Sequence, residues 1–215
     1  MRLRLGPRPH VAVVPDGVRL SATAPSPLPQ EPVVAYAGHL YAWKGVDLLL
    51  QALAQVPDAK GLIVGGHAAE PDLARVEQLA ADLGIARRVT FTGLVDPATV
   101  TRHLQHALIL VLPNPPSALS THFTSPLKLF EYMAARRAIV ASDLPAMREV
   151  LRDGENALLV PAGDPSALAA AIRRLQQDRA LAARLAESAY RDAAGYSWAK
   201  RAERLDALFT EVLAA

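Results

Sequence analysis

Short unbroken apolar runs alternate along this chain with segments whose apolar residues recur every three or four positions. Val11–Val14, Val33–Ala37, Gly61–Val64, Arg88–Phe91, Leu108–Leu112, Ala138–Ala141 and Ala157–Val160 read as strands. Most are continuous Val, Ile and Leu, as expected of strands covered on both faces. Between them the helical period predicts helices over 45–56, 71–84, 97–106, 125–136 and 145–151. Asp164-Pro165, a cap followed by a first-turn proline, opens a last helical stretch that runs to Ala215 with a break near Gly195-Tyr-Ser197. Alternation of this kind predicts an α/β fold, a doubly wound parallel sheet with right-handed crossovers, carrying a helical C-terminal extension. Ala24-Pro-Ser-Pro-Leu-Pro29 is expected to be an extended connector.

Composition narrows the function classes. Of 215 residues, 51% are hydrophobic and 20% charged, the balance of a folded globular chain rather than a disordered one. A net charge of +2 does not by itself imply a nucleic-acid partner. The chain has no cysteine, which excludes disulfides, thiolate metal sites and a cysteine nucleophile. With no apolar run of membrane-spanning length and no signal-peptide pattern, the default expectation is a cytoplasmic protein. Peripheral attachment to an inner membrane is the alternative for a full-length enzyme.

Two segments concentrate the chemistry. In Thr124-Ser-Pro-Leu-Lys-Leu-Phe-Glu131, Thr124 or Ser125 caps a helix and Pro126 suits its first turn. The N-terminal end of that helix presents free backbone N–H groups and a positive dipole end to an anion. Lys128 adds a cation, and Glu131 lies where a carboxylate can accept hydrogen bonds from vicinal hydroxyls. Upstream, the predicted strand Val33–Ala37 runs into Gly38-His-Leu-Tyr-Ala-Trp-Lys44-Gly45 and then a helix, an arrangement that brings backbone N–H groups close to phosphate. Lys44 would stand at its edge. The chain has four lysines, Lys44, Lys60, Lys128 and Lys200, and two fall in these loops. Gly65-Gly66-His67, Gly93-Leu94-Val95, 114–125 and Ser142-Asp143 also follow strands, so all could line one crevice. Phosphate, sugar and nucleoside in one ligand is the chemistry this pattern favours.

These motifs resemble glycosyltransferase family 4. The likeness is carried by Pro15-Asp-Gly-Val18, Tyr36-Ala-Gly-His-Leu-Tyr-Ala-Trp-Lys-Gly45, Phe91-Thr-Gly-Leu-Val95, Ser125-Pro-Leu-Lys-Leu-Phe-Glu-Tyr-Met-Ala-Ala135 and Ile139-Val-Ala-Ser-Asp-Leu-Pro145. The resemblance implies the GT-B architecture of two facing Rossmann-like domains, with this chain corresponding to the C-terminal, donor-binding one. Residues 1–32 would lead into the domain, 33–197 form it, and 198–215 be the helix that in the family crosses to the N-terminal, acceptor-binding domain. That domain, expected to be absent here, or a second copy would be the partner. The implied activity is metal-independent, retaining transfer of a sugar, of hexosyltransferase type, from a nucleotide-diphosphate donor that is substrate rather than cofactor. Lys44 and His39 would contact the diphosphate, together with Gly38, Gly65 and the amides of Ser125, Pro126, Leu127 and Lys128. Glu131 would hold the ribose, and Gly93, Leu94 and Val95 would flank the base. Lys44, His39 and Glu131 would serve the leaving-group side of catalysis.

The resemblance also has departures. Phe123 stands where many family members carry a glutamate touching the transferred sugar, and His39 where an arginine is common. Arg136 replaces a frequent glycine, at a cost of about 1 kcal/mol if it is left-handed. Because the chain corresponds to one domain, a non-catalytic nucleotide-sugar-binding subunit of a split enzyme and a GT-B epimerase fragment stand as alternatives. His103 and His106 share a helix face but lack a third metal ligand, and the arginines at 87–88, 136–137 and 173–174 read as solvated. Trp43 and Trp198 read as packing residues, with the alternative that Trp43, which precedes Lys44, fixes that loop.

Overall fold

The computed structural model describes residues 12–20, 27–67, 69–117, 120–121 and 127–214. Six strands, β1 (Val33–Ala37), β2 (Lys60–Val64), β3 (Val89–Phe91), β4 (Ile109–Leu112), β5 (Ala138–Ser142) and β6 (Leu158–Val160), form one all-parallel sheet in the order β3-β2-β1-β4-β5-β6. The order reverses between β1 and β4, which opens a crevice above their carboxyl ends.

The helices are α1 (Val46–Ala54), α2 (Pro71–Asp82), α3 (Pro97–His106), α4 (Leu127–Ala135), α5 (Pro145–Arg148), α6 (Pro165–Gln177), α7 (Arg179–Ala193) and α8 (Trp198–Ala214). Strand side chains alternate between two buried layers. Val34, Tyr36, Ile109, Val111 and Val140 meet α1, α2 and α6, whereas Ala35, Ala37, Leu110, Ile139 and Ala141 meet α3, α4 and α5. Helix α7 serves both layers, Leu181 and Leu185 on one side, Ala189 and Ala193 on the other.

Four expectations need correction. Residues 12–14 form no strand, and Val13 is 72% exposed: an apolar run without a sheet neighbour has nothing to pair with. Only Val18 makes a bridge, to Ser197. The helix expected over 145–151 is the shorter α5. The last helical stretch breaks at Asp178 as well as near Gly195, because the Asp178 carboxylate accepts from the Leu181 N–H and caps a new helix.

Of the paired arginines, Arg87 and Arg174 are exposed as expected, whereas Arg88, Arg136, Arg137 and Arg173 are engaged by the fold. Arg88 donates to the carbonyls of Leu53, Val56 and Ala59, satisfying the end of α1. Arg137 is buried and donates to Gln105 O and Arg136 O. Arg173 reaches Gln55 O at 3.0 Å. Arg136 is the left-handed residue anticipated, at φ 57°, and its side chain pairs with Glu187 and lies 4.7 Å over the Tyr190 ring.

Candidate functional site

The loops after β1, β2, β3 and β4 are knitted together by their main chains. Gly38 N–H donates to Val64 O at 2.9 Å, and Gly65 N–H to Gly93 O at 3.1 Å. At Gly65, φ is 119° and a Cβ would lie 2.3 Å from Gly38 O, so only glycine permits the approach. Gly45, at φ 80°, brings the first loop so close to the β4 loop that a Cβ would sit 1.9 Å from Pro113 O. The floor of the crevice is therefore backbone, which a phosphate or a base can approach closely.

Two anchors fix the first loop. Tyr36 Oη donates to His39 O at 2.6 Å. Arg75 on α2 donates to Leu40 O at 2.9 Å, grips Asp47 of α1 through both carboxylate oxygens, and pairs with Asp72. The hydrogen bonds and charge of Asp47 raise the Arg75 pKa further, so the clamp stays charged. Helix α4 is tied to the same place. Ala37 N–H, beyond the pairing of β1 with β4, donates to the buried Tyr132 Oη at 2.7 Å. Burial holds the Tyr132 phenol well above its ordinary range, so it remains a neutral hydroxyl.

These ties bring the loop that carries Lys44 and the helix that carries Lys128 to the same end of β1. Lys44 is half-buried, and its pKa is lowered first by burial and then by the charge on Lys128, the mark of two cations sharing one neighbourhood. Lys44 Nζ lies 3.9 Å over the Trp43 ring. Lys128 Nζ donates to Glu131 Oε2 at 2.9 Å, with 38% of the lysine and 43% of the glutamate side chain exposed. An ion pair this open is worth about 0.5 kcal/mol, so a ligand can part it.

Of the predicted residues, Gly38, Lys44, Gly65 and Gly93 thus lie in the interlocked loops at one end of the sheet. Leu127, Lys128 and Glu131 come with α4, and Leu127 is exposed. His39 is exposed on the first loop; Leu94 is 74% exposed and Val95 half-buried beside Gly93. Ser125 and Pro126, with Phe123 and Thr124, lie outside the described residues. Asp143 stands apart. It pairs with Arg148 and lines a cavity of about 290 Å³ with Leu151, Arg152, Asp153 and Leu159. Arg148 holds the Asp143 carboxyl below its usual range, and Arg152 is engaged by Glu155 and Asp192, so the charges there satisfy one another. Among the described residues His103 and His106 gain no third ligating group, and His106 Nδ1 lies 2.6 Å from Arg102 O.

Sequence reading missed Tyr36, Arg75, Asp47 and Tyr132. Their partners lie up to 95 residues away, and no local period reports them. The Tyr132 hydroxyl meets β1 from 95 residues away, a contact that helix spacing does not report.

Comparison with known proteins places the molecule. The family model for glycosyl transferases group 1 matches residues 31–178, more than half of the chain. The chain is similar to an alpha-D-kanosaminyltransferase of Streptomyces kanamyceticus, 30% identical over 190 residues, covering 86% of this chain and 47% of that one. Among solved structures, it resembles the sucrose-phosphate synthase of Thermosynechococcus elongatus, with a TM-score of 0.82, 28% identity and coverage of 94% of this chain and 52% of the other. It also shares the fold of the C-terminal domain of a glycosyl transferase group 1 family protein from Francisella tularensis, with a TM-score of 0.67 and 20% identity, covering 81% of this chain and 95% of that domain. The chain spans about half the length of the curated relatives it matches. The six-stranded Rossmann-like sheet matches GT-B glycosyltransferase structures over about half their length, and the chain belongs to the glycosyl transferases group 1 family.

Proposed function

We propose that this chain is the donor-binding domain of a retaining, metal-independent glycosyltransferase that takes a sugar from a nucleotide-diphosphate sugar. The observation that carries the reading is that the Tyr132 hydroxyl ties α4, which holds the Lys128–Glu131 pair, to the end of β1, whose loop carries Lys44. Two cations match a diphosphate, and a carboxylate one turn of helix away matches the ribose hydroxyls. The rest of the nucleotide would run over the glycine loops at Gly38, Gly65 and Gly93, the base lying along Gly93, Leu94 and Val95.

In this reading the chemistry is leaving-group stabilisation. As the bond between the anomeric carbon and the phosphate oxygen breaks, negative charge grows on the diphosphate. Lys44, His39 and the N-terminal end of the helix that carries Lys128 absorb it. Glu131 orients the nucleoside and so the scissile bond. The acceptor would be presented by a partner, either an N-terminal GT-B domain or a separate polypeptide. The end of α8 favours such a partner, because Phe209, Val212 and Leu213 stand 63, 56 and 88% exposed.

Calorimetry with the diphosphates of uridine, guanosine and adenosine tests the donor site. One of them should bind with equal affinity in buffer and in a chelator. Lys44→Ala should weaken it about ten-fold or more while leaving the bare nucleoside nearly unchanged, since a charge-assisted hydrogen bond contributes roughly 1.5–3 kcal/mol. Binding lost in chelator would remove metal independence, and equal losses for both ligands would make Lys44 merely structural.

A further inference from the structure

The first loop carries a chain of ring contacts that the donor-site reading does not use. The His39 imidazole stacks on Tyr41 with centroids 5.0 Å apart and planes 4° from parallel. Tyr41 continues onto Trp43 at 6.3 Å and 19°, and Trp43 carries the Lys44 ammonium at 3.9 Å. These are not core residues: His39 and Tyr41 are exposed and Trp43 is half-buried. The backbone to either side is already pinned, by Tyr36 at His39, by Arg75 at Leu40 and by the close approach of Gly45 to Pro113. The ladder therefore contributes little to holding the loop. What it orders is the side chains on the loop, and the first and last members of the ladder are the imidazole and the ammonium that the donor-site reading assigns to the diphosphate.

We propose that Tyr41 and Trp43 are positioning residues, which fix the imidazole of His39 and the ammonium of Lys44 on one ring stack and so set where the first loop presents its donors to a diphosphate. A lysine has four side-chain torsions, and a free one must be ordered when it grips a phosphate. The Trp43 face removes that freedom beforehand and keeps the cation from retreating into solvent away from Lys128. Rings already stacked face to face leave few faces open for a sugar, so the ladder serves the loop's own donors rather than acting as a carbohydrate platform. The proposal rests on the donor-site reading and adds to it a means of preorganisation.

Two measurements on the full chain decide it. Inorganic pyrophosphate has no base or ribose and reads the cations alone. Trp43→Leu should weaken pyrophosphate binding about three- to ten-fold, while Trp43→Phe, which keeps a ring face, stays within about two-fold. In a Lys44→Met background Trp43→Leu should cost nothing further, because the coupling partner is gone. Reductive methylation gives the second measurement, since the four lysines yield four dimethylamine signals. The Lys44 signal, assigned by its loss in Lys44→Met, should be ring-shifted upfield in the native chain and in Trp43→Phe, and unshifted in Trp43→Leu. Equal losses in the Phe and Leu variants, or the same loss with and without Lys44, would reduce Trp43 to a packing residue and overturn the proposal. An unshifted native signal overturns it too, independently of any ligand. A shifted signal in a protein that binds no pyrophosphate overturns the donor-site reading itself.

Discussion

Lys44 shows how one side chain inherits its properties from three elements. The turn before α1 places it, Trp43 holds it, and Lys128 from α4 works with burial to lower its pKa. A lowered lysine pKa means that the proton leaves at a pH where an ordinary lysine, near 10.5, still keeps it. Across that window the unfolded chain binds more protons than the folded one, so stability gains slightly as pH rises while the charge needed for phosphate is being lost. Diphosphate affinity should accordingly fall on the alkaline side, beginning below the ordinary lysine range. Calorimetric titrations repeated at rising pH should show this limb in the native chain, displaced to higher pH in Lys44→Arg and missing from Lys44→Met. A native limb that coincides with free lysine would mean that neither burial nor Lys128 lowers the Lys44 pKa.

At the scale of elements, Arg136 sets two local effects against each other where α4 hands over to β5. Its left-handed backbone costs about 1 kcal/mol, offset by the ion pair to Glu187 and the stacking on Tyr190 that tie α4 to α7. Arg136→Gly relieves the backbone and loses the contacts, so its stability should stay near that of the native chain. Arg136→Ala loses the contacts without relief and should be less stable than the glycine variant by about 1 kcal/mol in urea unfolding. The sequence announced this residue because the resemblance places a glycine there, but the compensating contacts, 51 residues away, had no local sign. The same division runs through the fold. Val33–Ala37 and 97–106 were legible to the residue, since a buried strand and a proline-started helix each carry their own period. Val11–Val14 misled because an apolar run reports the wish to be buried but not a neighbour to pair with. Asp178 was a missed cap signal inside an apparently continuous helical period. At the candidate site, Lys44 and the glycines were legible as residue types at strand ends, and Lys128 and Glu131 as members of one helix. Their convergence was not, because it depends on Tyr132 and Arg75 meeting partners far away in the chain.

At the scale of the whole molecule, α8 does two jobs. Its first turns hold the segment before β1: Arg201 donates to Val14 O and Pro15 O, and Trp198 lies against Gly17 so tightly that a Cβ there would come within 2.7 Å of the ring. Its last turns carry Phe209, Val212 and Leu213 in the open, although Leu205 and Leu208 are half-buried. No helix among the described residues is long and apolar enough to cross a membrane. In the isolated chain the available surface is a second copy. Sedimentation velocity should show concentration-dependent association, abolished by the double variant F209E/L213E, which leaves the first turns intact. Monomers in both, with equal binding of a hydrophobic dye, would show that α8 is not an interface.

The clamp between α8 and the leading segment also bears on the order in which the chain assembles. Val18 N–H donates to Tyr196 O at 2.8 Å, joining residues from opposite ends of the sequence. A contact of such long range bears nearly the full entropy of closing the chain on itself and gains little until everything between is folded. It should therefore form after the sheet and open before it. Residues 14–18 and the start of α8 then behave as a latch on a finished domain: amide exchange at Val18 would proceed by local opening, while Val34 to Ala37 wait for the molecule to unfold as a whole.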